Sequence, residues 1–69
     1  MPLSLLKAGE ESIIKSIIGK NEVKKHLENL GFVVGGKVLV VSSINGNLIV
    51  NVKDSRIAID KALANRIMV

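Results

Sequence analysis

The spacing of apolar residues changes along the chain and predicts a strand followed by a helix. In the segment Ser12 to Ile18, Ile13 and Ile17 fall on one face, and Ile14 and Ile18 fall on the other. That alternation is typical of a β-strand, and we expect a single strand over this segment. From Asn21 to Leu30 the apolar residues instead recur at i, i+4 and i+7, one face of a helix, and are Val23, Leu27 and Leu30.

Both ends of the predicted helix carry residues that suit them. Asn21 is a candidate N-cap, because its side chain can accept a hydrogen bond from an unpaired backbone amide. Gly31 stands where a C-cap glycine belongs, since glycine adopts a positive φ without a Cβ clash. The next residue, Phe32, can then fold back onto Leu27. The segment Leu30-Gly31-Phe32 therefore predicts a specific helix end.

A run of β-strands is predicted after the helix. Gly35-Gly36 makes a turn, and the strand Lys37 to Ser43 is apolar on both faces, which predicts burial on both sides. Asn45-Gly46 is a strong two-residue hairpin signal, because type I′ turns need a positive φ at both positions. In the returning strand, Leu48, Val50 and Val52 alternate with Ile49 and Asn51.

The last part of the chain predicts three further short elements. Lys53-Asp54 is a second turn, followed by a strand from Arg56 to Ile59 with Ile57 and Ile59 facing inward. Asp60 can cap one helical turn, Lys61 to Asn65, and a short strand from Arg66 to Val69 ends the chain. Short strands, tight turns and one inserted helix indicate a mainly β protein, a small antiparallel barrel.

Composition limits how such a barrel can be stabilised. The 69 residues form one domain, 1–69, and contain no cysteine, which excludes disulfides and thiolate metal sites. The hydrophobic fraction is 48%, and Phe32 is the single aromatic residue, so the core must be aliphatic. We assign Phe32 to core or cap packing and not to ligand stacking.

The charge balance leaves several partners open. The formal net charge is +4, which suits an acidic protein, a nucleic acid or an anionic membrane surface, but scattered lysines also occur on ordinary soluble surfaces. No apolar run approaches the roughly 20 residues of a membrane span. The first six residues lack the basic start and the length of a signal peptide. We therefore expect a cytoplasmic location.

No catalytic or cofactor site is predicted. The only histidine, His26, lies at the edge of the apolar helix face, and only Glu22 shares its side of the helix, so we predict no metal site. The glycines precede a strand, whereas phosphate-binding loops lead into a helix. Binding of nucleic acid would rest on backbone electrostatics alone, and we do not expect it.

Several short motifs occur in an order that resembles a known family. Leu3-Ser4-Leu5-Leu6 with a glycine at position 9 comes first, and the helix end Leu30-Gly31-Phe32 with Gly35 follows. The remaining matching positions are Ile14, Ile17, Gly19, Val38, Val40, Arg56 to Ile59, Ala64, Ile67 and Val69. Across nearly the whole chain, the set resembles the ferrous iron transport protein A (FeoA) family. The family often carries proline in the glycine turn, where this chain has Val34-Gly35-Gly36.

The resemblance implies an SH3-like antiparallel β-barrel with an inserted helix. It also implies a small cytosolic accessory protein, without enzymatic activity or a cofactor of its own, of a ferrous iron uptake system. The implied partner is the membrane ferrous iron permease (FeoB-like), whose cytosolic GTP-binding domain this chain would bind and modulate. The same barrel is similar to the C-terminal domain of metal-dependent repressors. Two alternatives stay open. The positive charge allows a small basic barrel that binds nucleic acid, and the likeness to the repressors allows a metal-dependent regulatory module.

A candidate partner-binding surface follows from exposure and charge on the predicted helix. We expect it to comprise Lys24, Lys25, His26 and Glu28, together with the loop at Gly35-Gly36. The alternative is that these residues are an ordinary solvated helix face. A monomer or a weak dimer is expected, because a domain of this size buries only about 60% of the surface of its unfolded chain.

Overall fold

Six short strands and two helices surround one hydrophobic core, which is aliphatic except for Phe32. The computed structural model describes all residues, 1–69. The strands are β1 (Glu11–Ile13), β2 (Ser16–Ile17), β3 (Lys37–Ile44), β4 (Asn47–Val52), β5 (Ser55–Ile59) and β6 (Ile67–Met68). The helices are α1 (Asn21–Leu30) and α2 (Lys61–Ala64), and a single 3-10 turn covers Leu3–Leu5.

The strands form two antiparallel sheets. One has the order β1-β3-β4-β5, and the other pairs β2 with β6. Pro2 forms an isolated bridge with Met68 of β6. The long helix α1 is inserted between β2 and β3, and α2 connects β5 to β6. The predicted mainly β architecture with one inserted helix is confirmed.

The core is entirely hydrophobic, as the composition predicts. Its largest fully buried side chain is Phe32, which confirms the packing role assigned to it. The inner faces of β3 and β4 contribute valines and a leucine, in alternation with residues that are more exposed. The buried residues are Leu3, Leu6, Ile14, Leu27, Phe32, Val38, Val40, Leu48, Val50, Val52, Ile59, Ala64, Ile67 and Val69.

Both predicted hairpin turns are present. Asn45 and Gly46 have φ values of 53° and 86°, the positive pair that a type I′ turn requires. Lys53 and Asp54 also have positive φ values, 50° and 62°, although neither is glycine. These turns set the registers of β3 with β4 and of β4 with β5, so that Leu48, Val50 and Val52 all face the core.

The first hairpin turn is docked on the start of α2. The backbone N–H of Lys61 donates to Oδ1 of Asn47 at 2.9 Å. Asp60 caps the same helix, because its Oδ1 accepts from the backbone N–H of Leu63 at 2.9 Å. The predicted Asp60 cap is confirmed, and two N–H groups that would lack helical partners are satisfied by side chains.

The prediction of one strand from Ser12 to Ile18 is wrong. The chain turns at Ile14 and Lys15, so that β1 pairs with β3 while β2 pairs with β6 in the other sheet. At the turn, the Ile14 N–H donates to the Gly36 carbonyl at 2.9 Å and the Lys15 N–H donates to the Met68 carbonyl at 2.8 Å. These distant partners divide the segment, and its local alternation does not reveal them.

The prediction that Lys37 to Ser43 is buried on both sides is also wrong. Val38 and Val40 are fully buried, but Val41 is 36% exposed and faces the other side. The pairing register with β4 shifts between Val40 and Ser42, which marks a β-bulge. The outer face of the sheet therefore remains open to solvent, as is common in antiparallel sheets.

Candidate partner-binding surface

Helix α1 ends in the predicted glycine cap. Gly31 has a φ of 107°, its N–H donates to the Glu28 carbonyl at 2.9 Å, and the Phe32 N–H donates to the Leu27 carbonyl at 2.9 Å. This pair of bonds is the Schellman motif. Phe32 and Leu27 are both fully buried in the same core, so the end of α1 is held by backbone bonds and by packing.

The start of α1 differs from the prediction by one residue. Lys20, not Asn21, occupies the N-cap position, with extended φ and ψ values of −69° and 159° and no capping side chain. Its carbonyl accepts from the Lys24 N–H at 3.0 Å, which places Asn21 inside the first turn. The prediction of Asn21 as the N-cap is therefore wrong, because the first helical hydrogen bond is accepted by Lys20.

The structure does not gather all the predicted helix residues on one surface. Lys24, Lys25, His26 and Glu28 are all exposed. Because successive helical residues rotate by about 100°, Lys24, Glu28 and Lys25 lie within an arc of about 100° that faces away from Val23 and Leu27. His26 lies about 160° from Lys24 and from Glu28, on the opposite flank. We call Lys24, Lys25 and Glu28 the outer helix face; His26 is outside it.

The glycine turn is a separate, exposed feature. The Gly36 N–H donates to the Val33 carbonyl at 3.0 Å, and Gly35 has a φ of 87°, which is the third position of a type II turn. The Gly35 N–H donates to the Ile14 carbonyl at 2.8 Å and so attaches the turn to the sheet. A Cβ on Gly35 would meet no atom within 4 Å, so this position is open to solvent.

Two further exposed residues, Val34 and Lys53, were not identified from the sequence. Val34, at the tip of the glycine turn, is 64% exposed. Its position directly before two glycines could have indicated an exposed apolar residue in a turn. Lys53 comes from the second hairpin turn, and its Cδ lies 3.9 Å from the position of a Cβ built on Gly31. A lysine beside the helix C-terminus is favourable for the helix dipole. No local pattern predicts this tertiary contact.

The remaining candidate chemistry is limited. Phe32 is fully buried, so the only aromatic side chain is not available for stacking on a base. No group of three or more histidine, cysteine, aspartate or glutamate side chains is placed to hold a metal ion. No helix combines the length and the apolar character that crossing a membrane would require.

Comparison with known proteins identifies the family. The model of the FeoA domain matches residues 1–69. The chain belongs to the FeoA family. A relative in Methanocaldococcus jannaschii, named as a candidate Fe(2+) transport protein A, is 40% identical to this FeoA chain over 68 residues, which cover 99% of the chain and 83% of the relative.

Solved structures of FeoA proteins share the fold. The crystal structure of an iron uptake regulatory protein (FeoA) has a TM-score of 0.93 at 32% identity, covering 99% of this chain and 92% of the other. A second structure is the FeoA of Stenotrophomonas maltophilia complexed with zinc, which is described as a prokaryotic SH3 domain protein. It has a TM-score of 0.84 at 30% identity, covering 99% of this chain and 87% of the other. The SH3-like fold is therefore confirmed for this FeoA chain, and the M. jannaschii relative is named for Fe(2+) transport.

Proposed function

We propose that this chain is a cytosolic accessory protein of a ferrous iron uptake system. It binds the cytosolic GTP-binding domain of the membrane iron permease (FeoB-like) and modulates the permease by contact. The observation that supports this most is the FeoA family match over the whole chain. The M. jannaschii relative, named as an iron transport protein, supports the same system.

The outer helix face and the glycine turn are the proposed contact surface. Lys24, Lys25 and Glu28 project from a helix whose other side is fixed by the buried Leu27 and by the half-buried Val23. Their backbone positions are thus set before a partner arrives, which lowers the entropy cost of binding. Val34 supplies an exposed apolar group at the glycine turn.

The chemistry of this surface favours an acidic partner. The outer helix face carries two exposed lysines and one exposed glutamate, so it is positive on balance. The whole chain carries a formal charge of +4. Complementary charge accelerates association and orients the partner, whereas a desolvated apolar contact such as Val34 mainly slows dissociation. We therefore propose that the two lysines speed association with the partner and that Val34 in the glycine turn slows its dissociation.

Direct binding tests the proposal. The purified chain is titrated with the purified cytosolic domain of the permease, loaded with GDP or with a non-hydrolysable GTP analogue, and the dissociation constant is measured by calorimetry. We expect binding at micromolar protein in at least one nucleotide state. Absence of binding in both states would contradict the proposed function.

Charge reversal then locates the surface. K24E/K25E should raise the dissociation constant by about tenfold or more, because two attractive rim contacts become repulsive. The matched control is K7E/K15E, which makes the same change in net charge at two exposed lysines outside the outer helix face and the glycine turn. Equal weakening by both pairs would mean that only net charge matters, and the proposed surface would be wrong.

A further inference from the structure

Strand β5 has an unpaired edge. In the sheet it lies at the end of the order and pairs only with β4. The two-residue turn before it closes on the pair Val52 and Ser55, which is therefore hydrogen-bonded, as is every second pair after it. The backbone N–H and C=O groups of Arg56 and Ala58 consequently point away from β4. Neither residue takes part in the backbone hydrogen bonds formed outside the helices and strands.

The extended backbone continues one residue beyond β5. Asp60 has φ and ψ values of −82° and 171°, so it prolongs the strand direction before α2 begins. Because side chains alternate along a strand, Arg56, Ala58 and Asp60 share the outer face of the sheet. An unpaired edge of this kind is a template for a further strand. The alternate positions along this edge are thus basic, small and apolar, and acidic, in the order Arg56, Ala58 and Asp60.

We propose that β5 pairs with β5 of a second copy of this chain in an antiparallel, two-fold symmetric contact. A two-fold axis makes the same residues face each other twice, so the charges must be self-complementary. If the axis lies at Arg56, two arginines oppose each other. If it lies at Ile57, Asp54 opposes Asp60 of the second copy. If it lies at Ala58, Arg56 opposes Asp60 of the second copy at two places. Only the last register is attractive.

The register centred on Ala58 also satisfies the backbone and the apolar surface. The N–H and C=O groups of the two Ala58 residues bond to each other, and each Asp60 N–H reaches the Arg56 carbonyl of the second copy. The small alanine at the axis leaves room for close approach of the strands. Ile49, which is 38% exposed, lies opposite Ala58 on β4, so an apolar row continues across both copies.

A groove on the outer face of the sheet lies beside this edge. It has a volume of about 270 Å³ and is lined mainly by apolar side chains, among them Ile44, Ile49 and Ala58. Ile44 is 66% exposed in the single chain. The second copy extends the outer face of the sheet next to this groove. The contact is distinct from the outer helix face, so it does not depend on the proposed function.

Cysteine cross-linking tests the register directly, because the chain contains no cysteine. In the proposed contact the two residues at position 58 form a hydrogen-bonded pair with Cα atoms about 5.5 Å apart, within the range of a disulfide. A58C should give a covalent dimer under mild oxidation. S55C, an exposed position on the same strand, is the matched control. Its two copies would be about 20 Å apart along the strands, because each residue adds about 3.3 Å.

We expect A58C to cross-link at least about tenfold faster than S55C, since only the former meets its disulfide geometry. Equal rates would indicate random collision and would overturn the proposal. Faster cross-linking of S55C would overturn the register.

Sedimentation velocity tests the contact without cysteines. The unmodified chain should dimerise reversibly as its concentration rises. R56E should raise the dimer dissociation constant about tenfold or more, because the introduced carboxylate of each copy would face Asp60 of the other. K15E, with the same change in net charge, should not. A chain that stays monomeric up to about 1 mM, a weak affinity for any specific contact, would contradict the proposal.

Discussion

Individual residues in this FeoA chain act through backbone geometry more than through side-chain chemistry. Gly46 shows this most clearly. It has a φ of 86° in the first hairpin turn, and a Cβ at this position would lie 2.8 Å from Cγ and Cδ of Lys61 and 3.3 Å from its Cβ. The turn thus needs glycine both for its φ and for close approach to α2.

Replacement of Gly46 by alanine should therefore destabilise the fold in two ways. The positive φ costs an alanine about 1–2 kcal/mol. The close contact adds about 0.5–1.5 kcal/mol, because the exposed side chain of Lys61 must move off its rotamer. Urea unfolding followed by circular dichroism measures the total loss in the free energy of unfolding.

Gly9 provides the matched control. It has a φ of 89°, but a Cβ there would meet no atom within 4 Å. Gly9→Ala should thus show the φ cost alone. If the two variants lose the same stability, the contact between the turn and α2 does not constrain Gly46.

The elements are stabilised by contacts at their ends. Helix α1 is held by the Gly31 cap and by burial of Phe32, and the four-residue α2 is held by two side-chain oxygens, from Asp60 and Asn47. A helix of only four residues cannot be stable by itself, because few hydrogen bonds offset its nucleation cost. Its position between β5 and β6 therefore depends on these caps.

Asp60→Ala should lower the free energy of unfolding by about 1 kcal/mol, because the Leu63 N–H loses its partner. Asp60→Ser should lower it by only a few tenths, since serine is also a good N-cap. Both are measured by urea unfolding at low micromolar protein, where the proposed weak dimer would not form. Equal losses from alanine and serine would show that the cap does not stabilise α2.

The sequence predicted those elements whose determinants are local. The end of α1 follows from Gly31, the two hairpin turns follow from Asn45-Gly46 and Lys53-Asp54, and the cap of α2 follows from Asp60. The break at Ile14 and the bulge after Val40 did not follow, because both depend on distant strands. In the candidate site, exposure of the lysines was foreseen. The proximity of Lys53 to Gly31 did not follow from the sequence, because it depends on how the second hairpin turn packs against the end of α1.

On the scale of the whole molecule, the surface divides into regions with different proposed partners. The outer helix face and the glycine turn carry two lysines and Val34, which we propose contact the permease domain. The β5 edge presents Arg56, Ala58 and Asp60 for a second copy of the chain. The core is purely hydrophobic. This division lets the two contacts be tested separately.

Nuclear magnetic resonance tests the central claim most directly, because it reports both whether and where the chain binds. The ¹⁵N-labelled chain, at a concentration low enough to remain monomeric, is titrated with the cytosolic GTP-binding domain of the permease. We predict changes in the amide signals of Lys24, Lys25, Glu28, Val34 and Gly35, while those of Arg56 and Ala58 stay unchanged. Unchanged spectra, or changes confined to residues outside the outer helix face and the glycine turn, would contradict the account.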